Sequence, residues 1–343
     1  MIPRKILLIQ LRRLGDVLLT TPVIRTLKQN YPEAVVDFLT EPPFVGVLEG
    51  NPFLRKIHVC EKRRYGELLR AVRREGYDWT LDFMNNPRSA QISFFSGAPV
   101  RGGYDIPVWK WAYTTTIPRP PIPTYAVESK LDLLRLLGLA VPAGQLPQIT
   151  LTEPEVRVAA EWCRTAGVDG STKVVGIVPI TRQSSRRWPK RYFDELMDRL
   201  RSLPGMPSLT FILFWGGPQE EIYVSELVQG KAGRLMIPSL TVKEMAYVLS
   251  RCDVVVGNDN GPMHLAVSVG TPTLGIYGPT CVGSWNPRRP PHRHLQLESL
   301  GCVGCNHNRC PYGHECMEWM SPQRVSDVVS QMLASGKPAS RSA

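Results

Sequence analysis

The residues whose types and spacing suit chemistry are concentrated in Gly257-Asn258-Asp259-Asn260-Gly261-Pro262-Met263-His264. A carboxylate, two amides and an imidazole stand between an apolar β-branched run, Val254 to Val256, and an apolar helix-like segment that begins at Pro262. That order reads as strand, tight turn and helix start. Pro262 suits the first helical position, where its missing N–H costs nothing, and Gly270 suits the stop before a second apolar run at Pro272 to Tyr277. The N–H groups of the Gly261 to His264 turn would then point out of the carboxyl end of the strand, where the helix dipole adds roughly half a positive charge. Such a turn is a place for phosphate, with Asp259 and His264 beside it to hold hydroxyls. The plainer reading is that Asp259 and Asn260 cap the helix and His264 packs in the core.

Elements that would position this turn recur along the chain. Strands are expected at Lys5 to Leu11, Val35 to Thr40, Lys56 to Cys60 and Asp78 to Phe83, with helices over Val17 to Asn30, Lys62 to Gly76 and Ala126 to Leu137. After Arg101 the pattern loosens through Trp109, Trp111 and the proline-rich Ile117 to Tyr125, and the segment to Thr172 reads as a joint. Strands restart at Lys173 to Pro179, Leu209 to Trp215 and Leu235 to Pro238, with helices over Lys190 to Leu203, Gln219 to Gln229 and Val242 to Arg251. A last amphipathic helix, Ser321 to Leu333, is expected to return to the first domain, and Gly336 to Ala343 to fray. Alternating strands and helices predict an α/β protein of two Rossmann-like domains, 1–168 and 169–343, with a cleft between them at the carboxyl ends of the strands.

Composition narrows the partners. The 343 residues are 43% apolar, with 41 basic against 30 acidic side chains and a net charge of +11. That balance favours polyanionic company: nucleic acid, an anionic membrane face or a phosphorylated substrate. Scattered charge and the lack of an aromatic-basic platform argue against nucleic acid. Apolar runs such as Ile6 to Leu11 fall far short of the ~18–20 residues of a membrane span, and no cleavage site follows Arg12-Arg13, so a cytoplasmic protein is expected. No G-x-G-x-x-G follows Leu11 and no Walker A is present.

Four segments in order carry a resemblance: R-R-L-G-D-V-L-L-T-T-P from Arg12, R-R-W-P-K-R-Y-F from Arg186, W-G-G-P-Q-E-E from Trp215, and N-D-N-G-P-M-H-L-A from Asn258 followed by P-T-L-G-I-Y-G-P-T. Together they resemble the family-nine glycosyltransferases, the ADP-heptose:lipopolysaccharide heptosyltransferases, over nearly the whole chain. The resemblance implies a GT-B fold with the acceptor on the first domain and the nucleotide sugar on the second. It implies a metal-independent, inverting transfer of L-glycero-D-manno-heptose from ADP-heptose to the lipopolysaccharide inner core, peripheral to the cytoplasmic face of the inner membrane. Asp16 matches the general base; capping the helix that follows is its structural alternative, and the two roles are compatible.

By the same resemblance Arg186 would meet the diphosphate, with Thr181 and Ser184 as hydroxyl partners. Arg replaces the Lys of some members there, and the alternative is a solvated basic turn among Arg182, Arg187, Lys190 and Arg191. Asp259 would accept from heptose hydroxyls, Gly261 to His264 would cradle the diphosphate, Glu220 or its neighbour Glu221 would hold the ribose, and Leu240 would lie near adenine. Asn260 stands where Ser or Thr is more usual. Lys62, Arg63 and Arg64 would meet acidic Kdo or phosphate groups of the acceptor, or form an ordinary exposed helix face. A member using another nucleotide sugar and a non-catalytic nucleotide-binding protein are the alternatives.

Cys302, Cys305, Cys310 and Cys316, with His307 and His314 among them, have the ligand number of a structural zinc site, although the pairs are close together. Disulfides, disfavoured in a reducing cytosol, and unligated or oxidised thiols are the alternatives, and the proposed chemistry needs no cofactor. Cys60, Cys163, Cys252 and Cys281 read as small buried apolar residues.

Overall fold

The computed structural model describes residues 2–118, 123–205 and 208–336. The chain divides into two compact units, Met1–Thr150 and Leu151–Ala343. In the first, a parallel sheet is ordered β3-β2-β1-β4-β5-β6, with β1 Lys5–Ile9, β2 Val35–Thr40, β3 Lys56–Val59, β4 Trp79–Asp82, β5 Val100–Tyr104 and β6 Thr115–Ile117. The middle strands read as unbroken apolar runs because both faces are covered: Ile6 to Ile9 are fully buried, and Leu7 registers with Asp37 on one side and Thr80 on the other. The chain builds outward from β1 to β3 and then returns to β4, so the strand order reverses between β1 and β4.

The second unit repeats the plan as β12-β11-β10-β7-β8-β9, with β7 Lys173–Val178, β8 Leu209–Leu213, β9 Arg234–Met236, β10 Val254–Asn258, β11 Thr273–Ile276 and β12 Arg293–Leu295. Its reversal lies between β7 and β10. The apolar core on one face gathers Trp188, Phe193, Leu196 and Phe211 with Val325 and Val329 of the last helix.

Several expectations change. The helix expected over Val17 to Asn30 is two, Leu14–Leu18 and Thr21–Asn30. Pro22 cannot donate in mid-helix, and the hydroxyls of Thr20 and Thr21 take the carbonyls of Asp16 and Leu18 at 2.7 and 2.8 Å. Lys62–Arg64 form a separate 3-10 turn before the helix Tyr65–Glu75. Helix Pro87–Ser96 and strands β5 and β6 were not expected from sequence. In β5, Gly102 and Gly103 lower strand propensity, yet a side chain on Gly103 would meet the Tyr113 ring at 2.7 Å.

The joint expected up to Thr172 contains the helix Glu153–Thr165, opened by Thr152 and Glu155 and packed on the helix Val242–Ser250, which places it in the second unit. The last helix, Pro322–Ser335, packs on Lys190–Ser202 of that same unit instead of returning to the first. Residues 337–343 of the expected frayed tail, and 119–122 of the proline-rich stretch, lie outside the described residues.

Candidate active site

In open parallel sheets, loops after the strands that flank an order reversal diverge and leave a crevice. In the second unit those loops follow β7 and β10, and they carry most of the expected donor-binding residues. Asn258 closes β10 and is fully buried; its amide donates to Pro179 O at 2.5 Å and accepts from Trp188 N at 2.9 Å, tying the β10 turn to the loop after β7. Asp259 is buried, and its carboxylate takes Arg186 Nη1 at 3.1 Å. That contact engages Nη1 of the guanidinium. Arg186 belongs to the 3-10 turn Ser184–Arg186.

The helix after the turn is Gly261–Ser268, with Asn260 as its cap. Pro262 is therefore second, not first, in the helix. Asn260 Oδ1 accepts from Met263 N at 3.2 Å while its Nδ2 donates to Ile180 O at 2.7 Å. The row of N–H groups expected over Gly261 to His264 is thus shorter than the sequence suggested. Pro262 has none and the cap takes Met263's, so the Gly261 N–H and the helix dipole remain for an anion. The plainer reading also holds in part: Asn260 is a true cap, and His264 is buried with its ring 5.9 Å from that of Trp285.

Thr181 is buried and its hydroxyl donates to Asp259 O at 3.0 Å, so its proton is committed within the protein. Ser184 is exposed at the start of the Arg186 turn. Glu220, in the first turn of Pro218–Val228 after β8, folds back to accept from Gly216 N at 2.8 Å, which sets it apart from Glu221. Leu240 lies after β9, half-buried, just before the Thr241 cap of the next helix.

In the first unit the reversal lies between β1 and β4, and Asp16 follows β1. It is third in the helix Leu14–Leu18, not its cap, and its carboxylate accepts from Arg13 N at 3.2 Å. Sequence reading missed its neighbour Lys130, which lies 114 positions along the chain. Lys130 is 5% exposed, donates to Gln10 Oε1 at 2.8 Å, and stands over the Phe83 ring. Burial pulls its pKa down to about 8, while the nearby carboxylates of Asp16 and Asp82 oppose the fall. Asp82 ends β4 in the interior, accepting from Tyr113 OH at 2.6 Å and from the N–H groups of Met84 and Asn85; burial pushes its pKa up. The signal in the sequence was a lysine inside the otherwise amphipathic Ala126–Leu136 segment, three residues from Val127 and Leu133. Lys62, Arg63 and Arg64 are exposed, and Arg64 pairs with Glu67 at 2.8 Å, a solvated pair of small value.

The cysteine-rich segment braces the Arg186 turn: Ser185 Oγ donates to His307 O at 2.7 Å, and His314 Nε2 lies 2.6 Å from Ser185 O. Its four thiols line one void of about 10 Å³, and burial together with the other three thiols pushes Cys316 up to about 11. No three of their sulfurs all lie within 4.8 Å of one another. Among the described residues, the one grouping with all ligand atoms within 4.8 Å is Asp37, His58 and Glu75 of the first unit. There Arg55 Nε and Tyr77 OH already bind Asp37 at 2.9 and 2.6 Å, and Lys56 binds Glu75 at 3.0 Å, so the cluster is an ion-pair brace. Of the scattered cysteines, Cys60, Cys163 and Cys252 are buried and Cys281 is half-buried.

Residues 65–315 match the profile of glycosyltransferase family 9 (heptosyltransferase). The chain is 27% identical over 303 residues to lipopolysaccharide heptosyltransferase 3 of Escherichia coli, covering 80% of this chain and 83% of that protein. The glycosyl transferase family 9 structure from Veillonella parvula superposes with a TM-score of 0.83 at 21% identity, covering 97% of each chain. The Escherichia coli ADP-heptose LPS heptosyltransferase II gives 0.79 at 21% identity, covering 96% of this chain and 99% of that one. The two six-stranded parallel sheets are accordingly those of the GT-B fold. With a family match over most of its length, on a fold shared with solved members, the chain belongs to glycosyltransferase family 9, the heptosyltransferases.

Proposed function

We propose that this heptosyltransferase moves L-glycero-D-manno-heptose from ADP-heptose to an acceptor of the lipopolysaccharide inner core, with inversion, without a metal, and at the cytoplasmic face of the inner membrane. The observation that carries the reading is the β7–β10 reversal, where Arg186, steered by Asp259, meets the neutral-capped N-terminus of Gly261–Ser268. A guanidinium fork and a helix dipole are what a departing diphosphate needs when no cation accompanies it. Glu220 suits the ribose, Leu240 the adenine, and Asp259 the sugar hydroxyls, with Ser184 and His264 beside the phosphates. Thr181 supports this set from beneath, through Asp259 O.

Asp16 is the general base of the proposal. It takes the proton from the acceptor hydroxyl as the bond from the anomeric carbon to the phosphate oxygen breaks and the new glycosidic bond forms. Lys130 sits close enough to Asp16 for their charges to interact. Lys62, Arg63 and Arg64 would attract acidic groups of the acceptor, with a dependence on salt set by a screening length of ~10 Å at 0.1 M. No helix of the described residues is long and apolar enough to cross a membrane, in keeping with peripheral attachment.

The test is to incubate the protein with ADP-heptose and a panel of truncated core acceptors and follow ADP release. Release that depends on one acceptor supports the reading. Turnover only with a different nucleotide sugar would replace the donor, and ADP binding without turnover on any acceptor would favour a non-catalytic nucleotide-binding protein.

A further inference from the structure

Phe94 and Phe95 lie near the end of the helix Pro87–Ser96 in the first unit, whose buried residues include Ala90, Ile92 and Ser93. They are 42% and 51% exposed. The turn around Lys110–Ala112 adds Val108 at 65% and Trp111 at 53%. These residues are not scattered. The Phe94 ring lies 5.1 Å from that of Trp111 and 5.5 Å from that of Phe95, and Trp111 stands 6.5 Å from Trp109, which packs against Ala90, Ala112 and Tyr113. Trp111 spends its one donor inside the protein, on Val108 O at 3.1 Å, so nothing polar on the indole needs water.

The rim of this patch is cationic. The Arg101 guanidinium lies 5.8 Å from the Phe94 ring centroid and donates to Ala112 O and Ala98 O, both at 2.8 Å. The guanidinium of Arg73 lies against Gly97, the residue that ends the aromatic helix. Arg73 belongs to the helix Tyr65–Glu75, packed beside Pro87–Ser96, which also exposes Arg70 and Arg74. Among the described residues none of these four arginines pairs with a carboxylate. The acidic groups nearby are engaged elsewhere: Glu67 with Arg64, Glu75 with Lys56 and Arg55, Asp105 with Lys110, and Glu41 with Arg88. An aromatic face with unpaired arginines at its edge suits the boundary between headgroups and acyl chains, where tryptophan and phenylalanine partition and nearby basic residues are drawn to an anionic surface.

We propose that Phe94, Phe95, Val108 and Trp111, rimmed by Arg73 and Arg101, form a docking surface for an anionic phospholipid bilayer. The inference rests on the membrane part of the proposed function and not on its sugar chemistry. It is tested with the full chain and vesicles of phosphatidylcholine with or without phosphatidylglycerol, scored by flotation, alongside ADP release with a water-soluble truncated acceptor. The wild type is expected to float with the anionic vesicles and much less with the neutral ones. The variant Phe94→Ser/Phe95→Ser/Trp111→Ser should lose about tenfold or more in vesicle partition, and Arg73→Gln a smaller part that shrinks as salt is raised.

Turnover on the soluble acceptor and the thermal midpoint should be unchanged in both variants. Phe95→Ser alone serves as the milder variant if the triple one fails to fold. Equal flotation of wild type and folded variants overturns the patch. No flotation of the wild type overturns both the patch and the peripheral reading while leaving the transferase reading standing. A variant that changes oligomeric state with no change in flotation would reassign the surface to a second copy of this chain. Flotation that tracks the patch in a protein that releases no ADP would sink the sugar chemistry alone.

Discussion

The two order reversals, β1/β4 in the first unit and β7/β10 in the second, are the same topological feature furnished in opposite ways. Each offers a helix N-terminus at the carboxyl edge of its sheet, the usual seat of an anion. In the first unit the protein fills that seat itself. Asp16 places its carboxylate against the Arg13 N–H at the head of its own short helix, so negative charge already stands there. In the second unit the cap is the neutral Asn260, and the charge beside it is the guanidinium of Arg186. Topology supplies the dipole, and a single side chain decides whether the site holds an anion of its own or waits for one from a ligand.

Four changes would break or sharpen that contrast. Removing the first unit's carboxylate should have the largest effect: Asp16→Asn is expected to lower kcat by about 10²–10⁴-fold while ADP affinity by calorimetry stays as in the wild type. Near-normal turnover would end the assignment of the base. Next comes the second unit's cation, since a hydrogen bond to a charged group is worth about 1.5–3 kcal/mol. Arg186→Ala should weaken ADP binding by about 10–100-fold on that scale, and Arg186→Lys should restore only part because an ammonium presents no fork. If the alanine variant binds ADP as tightly as the wild type, the basic turn is merely solvated.

Lys130 makes a third test, through pH. Its pKa is about 8 in the folded protein against 10.5 in the unfolded chain, so between those values the unfolded state holds more protons. Stability of the wild type should therefore rise with pH across that window, by on the order of 3 kcal/mol in urea unfolding, and Lys130→Met should show no such rise. The same deprotonation removes the positive charge beside Asp16, so a bend in wild-type turnover near pH 8 should vanish in the methionine variant. Parallel pH curves for the two proteins would refute the coupling. The smallest effect is expected for Asn260→Ser, which keeps a capping oxygen but loses the amide bond to Ile180 O. A cost of about 1 kcal/mol, or ~2–4 °C in the thermal midpoint, with ADP affinity unchanged, would confirm that this side chain shapes the turn without touching the ligand. A loss of ADP affinity would instead give it a direct contact.

Local chemistry made much of this legible. The apolar runs at β1 and β10 read as strands covered on both faces, and the Asn-Asp-Asn-Gly-Pro turn by itself announces a capped helix start. What stayed hidden depended on neighbours. Strand β5 carries two glycines that no propensity favours; it is held by its ladders with β4 and β6, and Leu81, Leu133 and Tyr113 crowd the positions where side chains would stand. The helix Pro87–Ser96 has little apolar periodicity because its outer end is aromatic, and Glu153–Thr165 was masked by the prolines before it.

The sequence by itself determined the alternation of strands and helices, the two turns that carry Asp16 and Asp259, and the excess of positive charge, since each follows from residue types within one or two turns of chain. Only the tertiary structure decided that Asp259 grips Arg186 across 73 positions and that Lys130 is buried within the field of Asp16. It also gathered Phe94 and Trp111 into one exposed patch. Those outcomes hang on which strand lies beside which, because burial and Coulomb interaction act through space and take no account of separation along the chain.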